Sequence, residues 1–320
     1  MSILNRIKIL TDFISRKDLV SGFPVEIGIE MTNRCNLKCK MCARETMTRP
    51  VGDMPLGLLK KIVDEVKPYA EMVYLHGDGE PLLHKQIFEA IEYVKKSNLK
   101  VGLSSNATLL DEPIAHRLID SKLDYLILAL DGATKETYEK IRVNGRFEQV
   151  VENVERFLAL KRAKRSNMYV LIQFIVMEEN KKEIKAFADY WKKFKPDIIR
   201  FKPYVDLFGT KSSTQFSLPC FYLWRQTMID WDGTVFPCCV DTNSSHRLGN
   251  VSEASLMSIW NGPALRDLRK KHILGKQNQI DICRNCDMYQ FSYESLVAVS
   301  LINGYQVKKY LPYWENLTRT

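Results

Sequence analysis

Residues 25–42 read VEIGIEMTNRCNLKCKMC, a short β-type apolar run that passes straight into a loop where Cys35, Cys39 and Cys42 stand in Cys-x3-Cys-x2-Cys spacing. The run VEIGIEM at 25–31 predicts a strand, so the cysteines fall on the loop at its C-terminal end, where the active sites of parallel α/β barrels gather. A [4Fe-4S] cluster ordinarily takes four thiolates, and closely spaced cysteines on one loop can wrap a single cube. Only three are local here, which leaves one iron without a protein ligand, much as a catalytic zinc keeps an open position. A zinc knuckle, or cysteines that are merely buried, are the alternatives at this point.

The rhythm begun at this strand continues outward. MVYL at 72–75, LKVGLS at 99–104, YLILAL at 125–130, YVLIQFIVM at 169–177 and IIRF at 198–201 bring the predicted strands to six. Between them Leu58, Leu59, Ile62, Val63 and Val66 recur at helical spacing, as do Ile87, Phe88, Ile91 and Val94, and then Val150, Val151, Val154, Phe157 and Leu158. Such alternation predicts parallel βαβ units, and near-continuous apolar strands predict a sheet covered on both faces. The expected fold class is therefore α/β, a partial (β/α)6 TIM-like barrel. After residue 206 the rhythm stops: LFGTKSSTQFS is polar and turn-rich, TMID and TVFP flank a Trp231-Asp232-Gly233 hairpin turn, and SLMSIW and ALRDLRKK predict two short helices. The expected division is a helical extension over 1–24, the barrel over 25–205, a smaller cysteine-rich domain of hairpin and helices over 206–288, and a helical tail over 289–320 in which Leu296, Val297, Leu301 and Ile302 pack on the body.

Composition narrows the class. With 320 residues, 45% of them hydrophobic, the chain can bury a substantial core. No apolar run reaches the roughly 18 residues of a membrane span, and MSILNRIKILTDF is interrupted by Arg6, Lys8 and Asp12, unlike a secretory signal, so a cytoplasmic protein is expected. Eight cysteines in a reducing compartment point to metal rather than disulfides. The formal net charge of +9 and the knot Lys161, Arg162, Lys164 and Arg165 allow an acidic partner, but basic residues also favour a helix C-terminus, and nucleic acid is not expected.

Segment 25–42 resembles the signature of the radical S-adenosylmethionine superfamily. By that resemblance the open iron is chelated by the amino and carboxylate groups of S-adenosylmethionine, Met41 lies near the adenine, and one electron releases a 5′-deoxyadenosyl radical that abstracts hydrogen from a substrate, chemistry that belongs to the cofactor. His76-Gly77-Asp78-Gly79-Glu80-Pro81 is similar to the family's Gly-Gly-Glu-Pro motif, with Asp78 in place of the first glycine. The resemblance implies cofactor contacts at Gly77, Asp78, Gly79 and Glu80, and at Ser104 and Asn106, where the third strand ends. Asp131-Gly132 and Arg142 are similar to the family's Ser-x-Asp-Gly stretch and the arginine that follows it. Ala129 departs from the usual serine, and Asp131 and Arg142 can equally pair with each other.

The other five cysteines, Cys220, Cys238, Cys239, Cys283 and Cys286, lie together in the last third. Their spacing is similar to the opening of a SPASM domain, without the three cysteines that follow in its full form, and resembles the shortened twitch domain. By that resemblance Cys220, Cys238, Cys283 and Cys286 hold a second [4Fe-4S] cluster, fully ligated and so suited to moving electrons. A four-cysteine zinc site is the alternative. Cys239, next to Cys238 on an extended segment, should face away from that site, either as a small buried residue or as a hydrogen donor to a substrate radical.

The family resemblance implies an enzyme with two [4Fe-4S] clusters and S-adenosylmethionine as cofactors and a one-electron donor such as flavodoxin or ferredoxin. The leading reaction is a two-electron dehydrogenation of a sugar, cyclitol or small metabolite, with the auxiliary cluster as acceptor. Maturation of a ribosomally made peptide is second, weakened because the 24 residues before the first strand do not read as a winged peptide-binding module. A non-catalytic iron-sulfur or zinc module contacting RNA is third. His76, Tyr204 and His84 are the candidate acid-base groups.

Overall fold

One face of each barrel strand is apolar and buried, and this decides where the helices go. Ile27, Ile29, Val73, Leu75, Val101, Leu103, Leu126, Leu128, Val170, Ile172, Phe174 and Phe201 form a continuous core with Leu59, Ile62 and Val66, and with Val150, Val154 and Phe157, from the surrounding helices. A computed structural model describes residues 3–204, 219–284 and 286. In it α1 (Ile3–Ile14) precedes β1 (Glu26–Ile29), and the two-residue β2 (Lys38–Cys39) lies inside the cysteine loop. Then follow α2 (Leu56–Val66), β3 (Met72–Tyr74), α3 (Ile87–Lys96), β4 (Lys100–Ser105), α4 (Glu112–Asp120) and β5 (Tyr125–Ala129). Next come α5 (Lys135–Ile141), β6 (Arg142–Val143), α6 (Phe147–Ala163), β7 (Tyr169–Val176), α7 (Ile184–Lys192) and β8 (Ile198–Pro203). The remainder holds α8 (Tyr222–Arg225), β9 (Gln226–Ile229), β10 (Thr234–Phe236), β11 (Gly249–Asn250), α9 (Leu256–Trp260), α10 (Pro263–Ile273) and α11 (Asp281–Arg284).

All six expected barrel strands are present, in the order β1-β3-β4-β5-β7-β8 with every neighbour parallel, so the α/β barrel expectation holds. Two expectations need correction. The hairpin is not confined to a separate module: β9 pairs in parallel with β1, from Glu26↔Gln226 to Ile29↔Ile229, so β9, β10 and β11 extend the barrel sheet beyond its first strand. Nor is the second face of the sheet a closed apolar layer. Tyr74, His76, Ser104, Tyr125, Tyr169, Gln173, Arg200 and Lys202 are half-buried and share the lumen side, a polar chamber rather than a packed core.

A second core lies outside the barrel. Ile9 and Phe13 of α1 pack with Val20, Phe221, Leu223, Trp224, Trp260, Leu265 and Leu268. Arg269, fully buried, locks this core, donating to the carbonyls of Leu223, Asp18 and Trp260 beneath the Trp260 ring. The polar stretch at 207–217 and the expected helix after 289 lie outside the described residues.

Candidate active site

The cysteine loop is fastened at several points. β2 pairs antiparallel with β6, Cys39 opposite Arg142, and Lys40 N donates to Ile141 O at 3.0 Å. A turn bond of 3.0 Å from Cys42 N to Cys39 O brings the last two cysteines together. N–H groups aim at two sulfurs: Arg142 Nη1 stands 3.6 Å from Cys39 Sγ and Asn106 Nδ2 stands 3.9 Å from Cys35 Sγ. Burial pushes the Cys39 thiol up and the Cys42 thiol up to about 11, and each also feels the charge of Cys35. Buried thiolates that disfavour one another call for a cationic partner, and N–H donors at sulfur are what an iron-sulfur cluster uses, so the donor set fits such a cluster. Among the described residues no three His, Cys, Asp or Glu side chains converge on a single metal ion.

Asp131 and Arg142 do pair. Arg142 Nε donates to Asp131 Oδ2 at 2.7 Å, and the other carboxylate oxygen accepts from Ile175 N at 2.5 Å. Burial works against the Arg142 charge, but Asp131 and Cys39 keep the guanidinium protonated. Asp131 is wholly buried, so it positions Arg142 against Cys39 rather than facing the lumen.

The Gly77–Glu80 turn is held equally tightly. A Cβ on Gly79 would lie 2.2 Å from Thr32 O and 2.6 Å from Arg34 O, so glycine there lets the turn nest on the backbone that leads into Cys35. Glu80 N donates to Arg34 O at 2.8 Å, while the buried Glu80 carboxylate accepts from Leu82 N, Ser105 Oγ and Asn106 N. Glu80 thus ties three loops together. Ser104 faces the lumen, half-buried, and Met41 is half-buried on the cysteine loop. Asp78 joins a buried charged group that the sequence did not announce: Arg49 forks onto Glu30 at 2.6 and 2.7 Å, reaches Asp78 Oδ2 at 2.9 Å and approaches Asp230 Oδ1 at 3.4 Å. With three carboxylates to one guanidinium, burial and the neighbouring Glu30 push Asp78 up to about 6 and Asp230 up to about 7.

The three acid-base candidates separate. His84 is buried, its Nε2 donating to Met54 O at 3.1 Å while its Nδ1 accepts from Gln86 N, which makes it a structural residue. Tyr204 is exposed beyond β8. His76 alone lies in the lumen, edge-on to Tyr74, with Nδ1 buried and unpartnered and its pKa lowered to about 4 by burial.

In the last third, Cys220, Cys238, Cys283 and Cys286 act electrostatically on one another, and burial pushes Cys220 up to about 12. His272 of α10 links two of them. Its Nδ1 accepts from Cys220 N at 3.1 Å, so the ring proton sits on Nε2, which faces Cys283 Sγ at 3.5 Å. Sequence reading missed His272, whose only signal is its place on the buried α10 face with Leu265, Leu268 and Arg269. Cys239 is exposed, but not because strand side chains alternate: β10 has ended, and a turn closed by Asp241 N to Cys238 O at 3.1 Å turns it outward. The leading charges on its thiol are Lys202 and Asp78, on the barrel side. The basic knot ends α6, where Lys161 pairs with Asp197 and Lys164 with Asp120, both at 2.7 Å.

The family model of the Radical SAM superfamily matches residues 29–190, and that of an iron-sulfur cluster-binding domain, SPASM, matches 220–287. A tungsten-containing aldehyde ferredoxin oxidoreductase cofactor-modifying protein of Pyrococcus furiosus is 24% identical over 284 residues, spanning 72% of this chain and 79% of that protein. Among solved structures, Streptococcus suis SuiB bound to precursor peptide SuiA superposes with a TM-score of 0.66 at 16% identity over 82% of this chain and 70% of its own. BtrN in complex with AdoMet and 2-DOIA gives 0.57 at 18% identity over 83% and 93%. No helix among the described residues is long and apolar enough to cross a membrane.

Proposed function

The chain belongs to the radical S-adenosylmethionine superfamily and carries a SPASM-type iron-sulfur domain, and from that premise we propose that it dehydrogenates a polar substrate held in the barrel lumen. It is an enzyme whose cofactors are S-adenosylmethionine and [4Fe-4S] clusters. Cys35, Cys39 and Cys42 would hold the open cluster, and Cys220, Cys238, Cys283 and Cys286 the auxiliary one. Bound there, these groups supply a hydrogen-abstracting adenosyl radical and an electron sink, fed by a one-electron donor such as flavodoxin or ferredoxin. The observation that carries the oxidative reading is the bridge by which His272 joins the Cys220 backbone to Cys283 Sγ within the segment matched as an iron-sulfur cluster-binding domain, where Cys220, Cys238, Cys283 and Cys286 would give a cluster four thiolates and leave it no ligand position for substrate.

The chain's own residues have distinct tasks in this reading. Arg142, kept charged by Asp131, orients Cys39, and Asn106 orients Cys35. The turn of Gly77, Asp78, Gly79 and Glu80, together with Met41 and Ser104, would hold S-adenosylmethionine. Asp78, partly exposed and hydrogen-bonded through Oδ2 to Arg49, with its pKa raised to about 6, would take the proton that a substrate hydroxyl loses. The division we propose is an extension over 1–24, the barrel over 25–205, an auxiliary domain over 206–288 whose hairpin strands continue the barrel sheet, and a tail over 289–320. Substrates in this class are sugars, cyclitols and small metabolites.

Peptide maturation is the second reading. It is favoured by the likeness to SuiB, whose structure holds a precursor peptide, and by Cys239, exposed next to Cys238 with Lys202 and Asp78 of the barrel as the leading charges on its thiol, a place suited to a hydrogen donor for epimerisation. A substrate deuterated at the reacting carbon decides. Dehydrogenation transfers deuterium into 5′-deoxyadenosine and gives a product two hydrogens lighter. Epimerisation labels 5′-deoxyadenosine as well, but its product only exchanges that deuterium for a hydrogen atom from Cys239, or for deuterium in heavy water, the cysteine then regaining one electron from the donor and one proton from solvent.

A further inference from the structure

Among the described residues, two cations in the lumen have no carboxylate ion-paired with them. Arg200 and Lys202 stand two residues apart on β8, opposite their register partners Gln173 and Ile175 of β7, on the face that looks into the barrel. Arg200 Nη2 donates to Gln173 Oε1, and Arg200 Nε is buried with no hydrogen-bond partner. Three other arginines of the barrel are held by carboxylates. Arg49 is held by Glu30 and Asp78, Arg142 by Asp131, and Arg225 by Glu26. Among the described residues no carboxylate pairs with Arg200 or Lys202. The field of Arg200 reaches the phenols of Tyr125 and Tyr169, which stack with centroids 5.4 Å apart deeper in the same lumen.

A half-buried guanidinium with unspent donors carries a desolvation cost that a bound oxyanion would relieve. Its planar fork suits a carboxylate or phosphate, and a lysine two residues on adds a point charge to the same face. We propose that Arg200, Lys202 and Gln173 form a subsite for an oxyanion of the substrate, so that the molecule oxidised carries a carboxylate or phosphate group. This rests on the lumen being the substrate chamber of the reaction proposed above. The competing oxyanion is the carboxylate of S-adenosylmethionine itself.

The test is calorimetry on the anaerobically reconstituted holoenzyme, titrating S-adenosylmethionine and then, at saturation, inorganic phosphate and succinate as probes. At least one probe should bind the wild type, and Arg200→Gln and Lys202→Gln should each weaken it by about tenfold or more, the loss of one charge-assisted hydrogen bond. The dissociation constant of S-adenosylmethionine should stay within about twofold. Failure of both probes to bind the wild type, or equal binding to the variants, overturns the subsite. A parallel loss of S-adenosylmethionine affinity assigns the pair to the cofactor and overturns it too. Should Arg200→Gln not fold, Lys202→Gln decides, since among the described residues the Lys202 side chain makes no hydrogen bond. If the wild type forms no 5′-deoxyadenosine, the proposed reaction fails while the probe titrations still read the subsite.

Discussion

Asp131 is wholly buried and spends one oxygen on Arg142, so its loss would strand a guanidinium in the interior beside Cys39. Asp131→Ala should cost about 3–5 kcal/mol in denaturant unfolding of the apoprotein, the range for a broken buried pair, whereas a cost under about 1 kcal/mol would mean the pair is not the anchor described here. His272 invites a different readout. An N–H pointed at a cysteine sulfur stabilises the electron-rich state of a cluster, so His272→Phe should lower the reduction potential of the auxiliary cluster and leave the other unmoved, as followed by redox titration with EPR detection. An unchanged auxiliary potential would show that the ring does not touch the cluster. The two residues differ in legibility. Asp131 and Arg142 could be picked out because they sit after a strand at a familiar spacing. His272 and Arg49 could not, since each gains meaning only from partners far along the chain, Cys220 in one case and Glu30, Asp78 and Asp230 in the other.

Between strand and loop, the Gly77–Glu80 turn fixes the wall beside the cysteine loop. Gly79→Ala would drive a Cβ into the carbonyls of Thr32 and Arg34, and should weaken S-adenosylmethionine binding by about tenfold or more with helix content retained. Gly57→Ala on the exposed side of α2, where a Cβ meets nothing within 4 Å, is the control, expected to leave binding alone and to raise stability by about 0.5–1 kcal/mol. In the auxiliary domain, His246 lies 3.6 Å from Asp241 and 3.2 Å from Asp281, joining the turn after Cys238 to the helix that bears Cys283. The hydrogen bond to Asp241 raises the His246 pKa above its ordinary 6.5. A raised histidine stabilises fully below its unfolded value, and that contribution fades as pH climbs through the folded one. Apoprotein stability should therefore fall as pH rises past the ordinary histidine value of 6.5, and His246→Gln should flatten that fall; equal slopes in thermal melts would contradict it. The strands and helices themselves were readable from periodicity. That β9 docks beside β1 was not, because a parallel pair two hundred residues apart in sequence leaves no local trace.

At the scale of the molecule, eight cysteines divide into three on the barrel loop, four in the auxiliary domain and the exposed Cys239 beside Cys238. The loop after Cys42 is stapled to the auxiliary hairpin: Thr48 N donates to Asn243 Oδ1, Arg49 Nε to Thr242 O and Trp231 Nε1 to Pro50 O, at 2.7, 2.6 and 3.1 Å. The cysteine spacings made the two sets legible, but the staple depends on side chains no motif marks. The polar lumen stayed hidden because β-strands with one buried apolar face and short polar insertions read as continuous apolar runs. The central claim, an open cluster at Cys35, Cys39 and Cys42 that cleaves S-adenosylmethionine, is tested most directly by quantifying 5′-deoxyadenosine after anaerobic reconstitution and reduction. The wild type should form it. The triple variant Cys35→Ala, Cys39→Ala, Cys42→Ala should form none while keeping about four irons per chain in the auxiliary site. No 5′-deoxyadenosine from the wild type, or equal amounts from both proteins, would contradict the account.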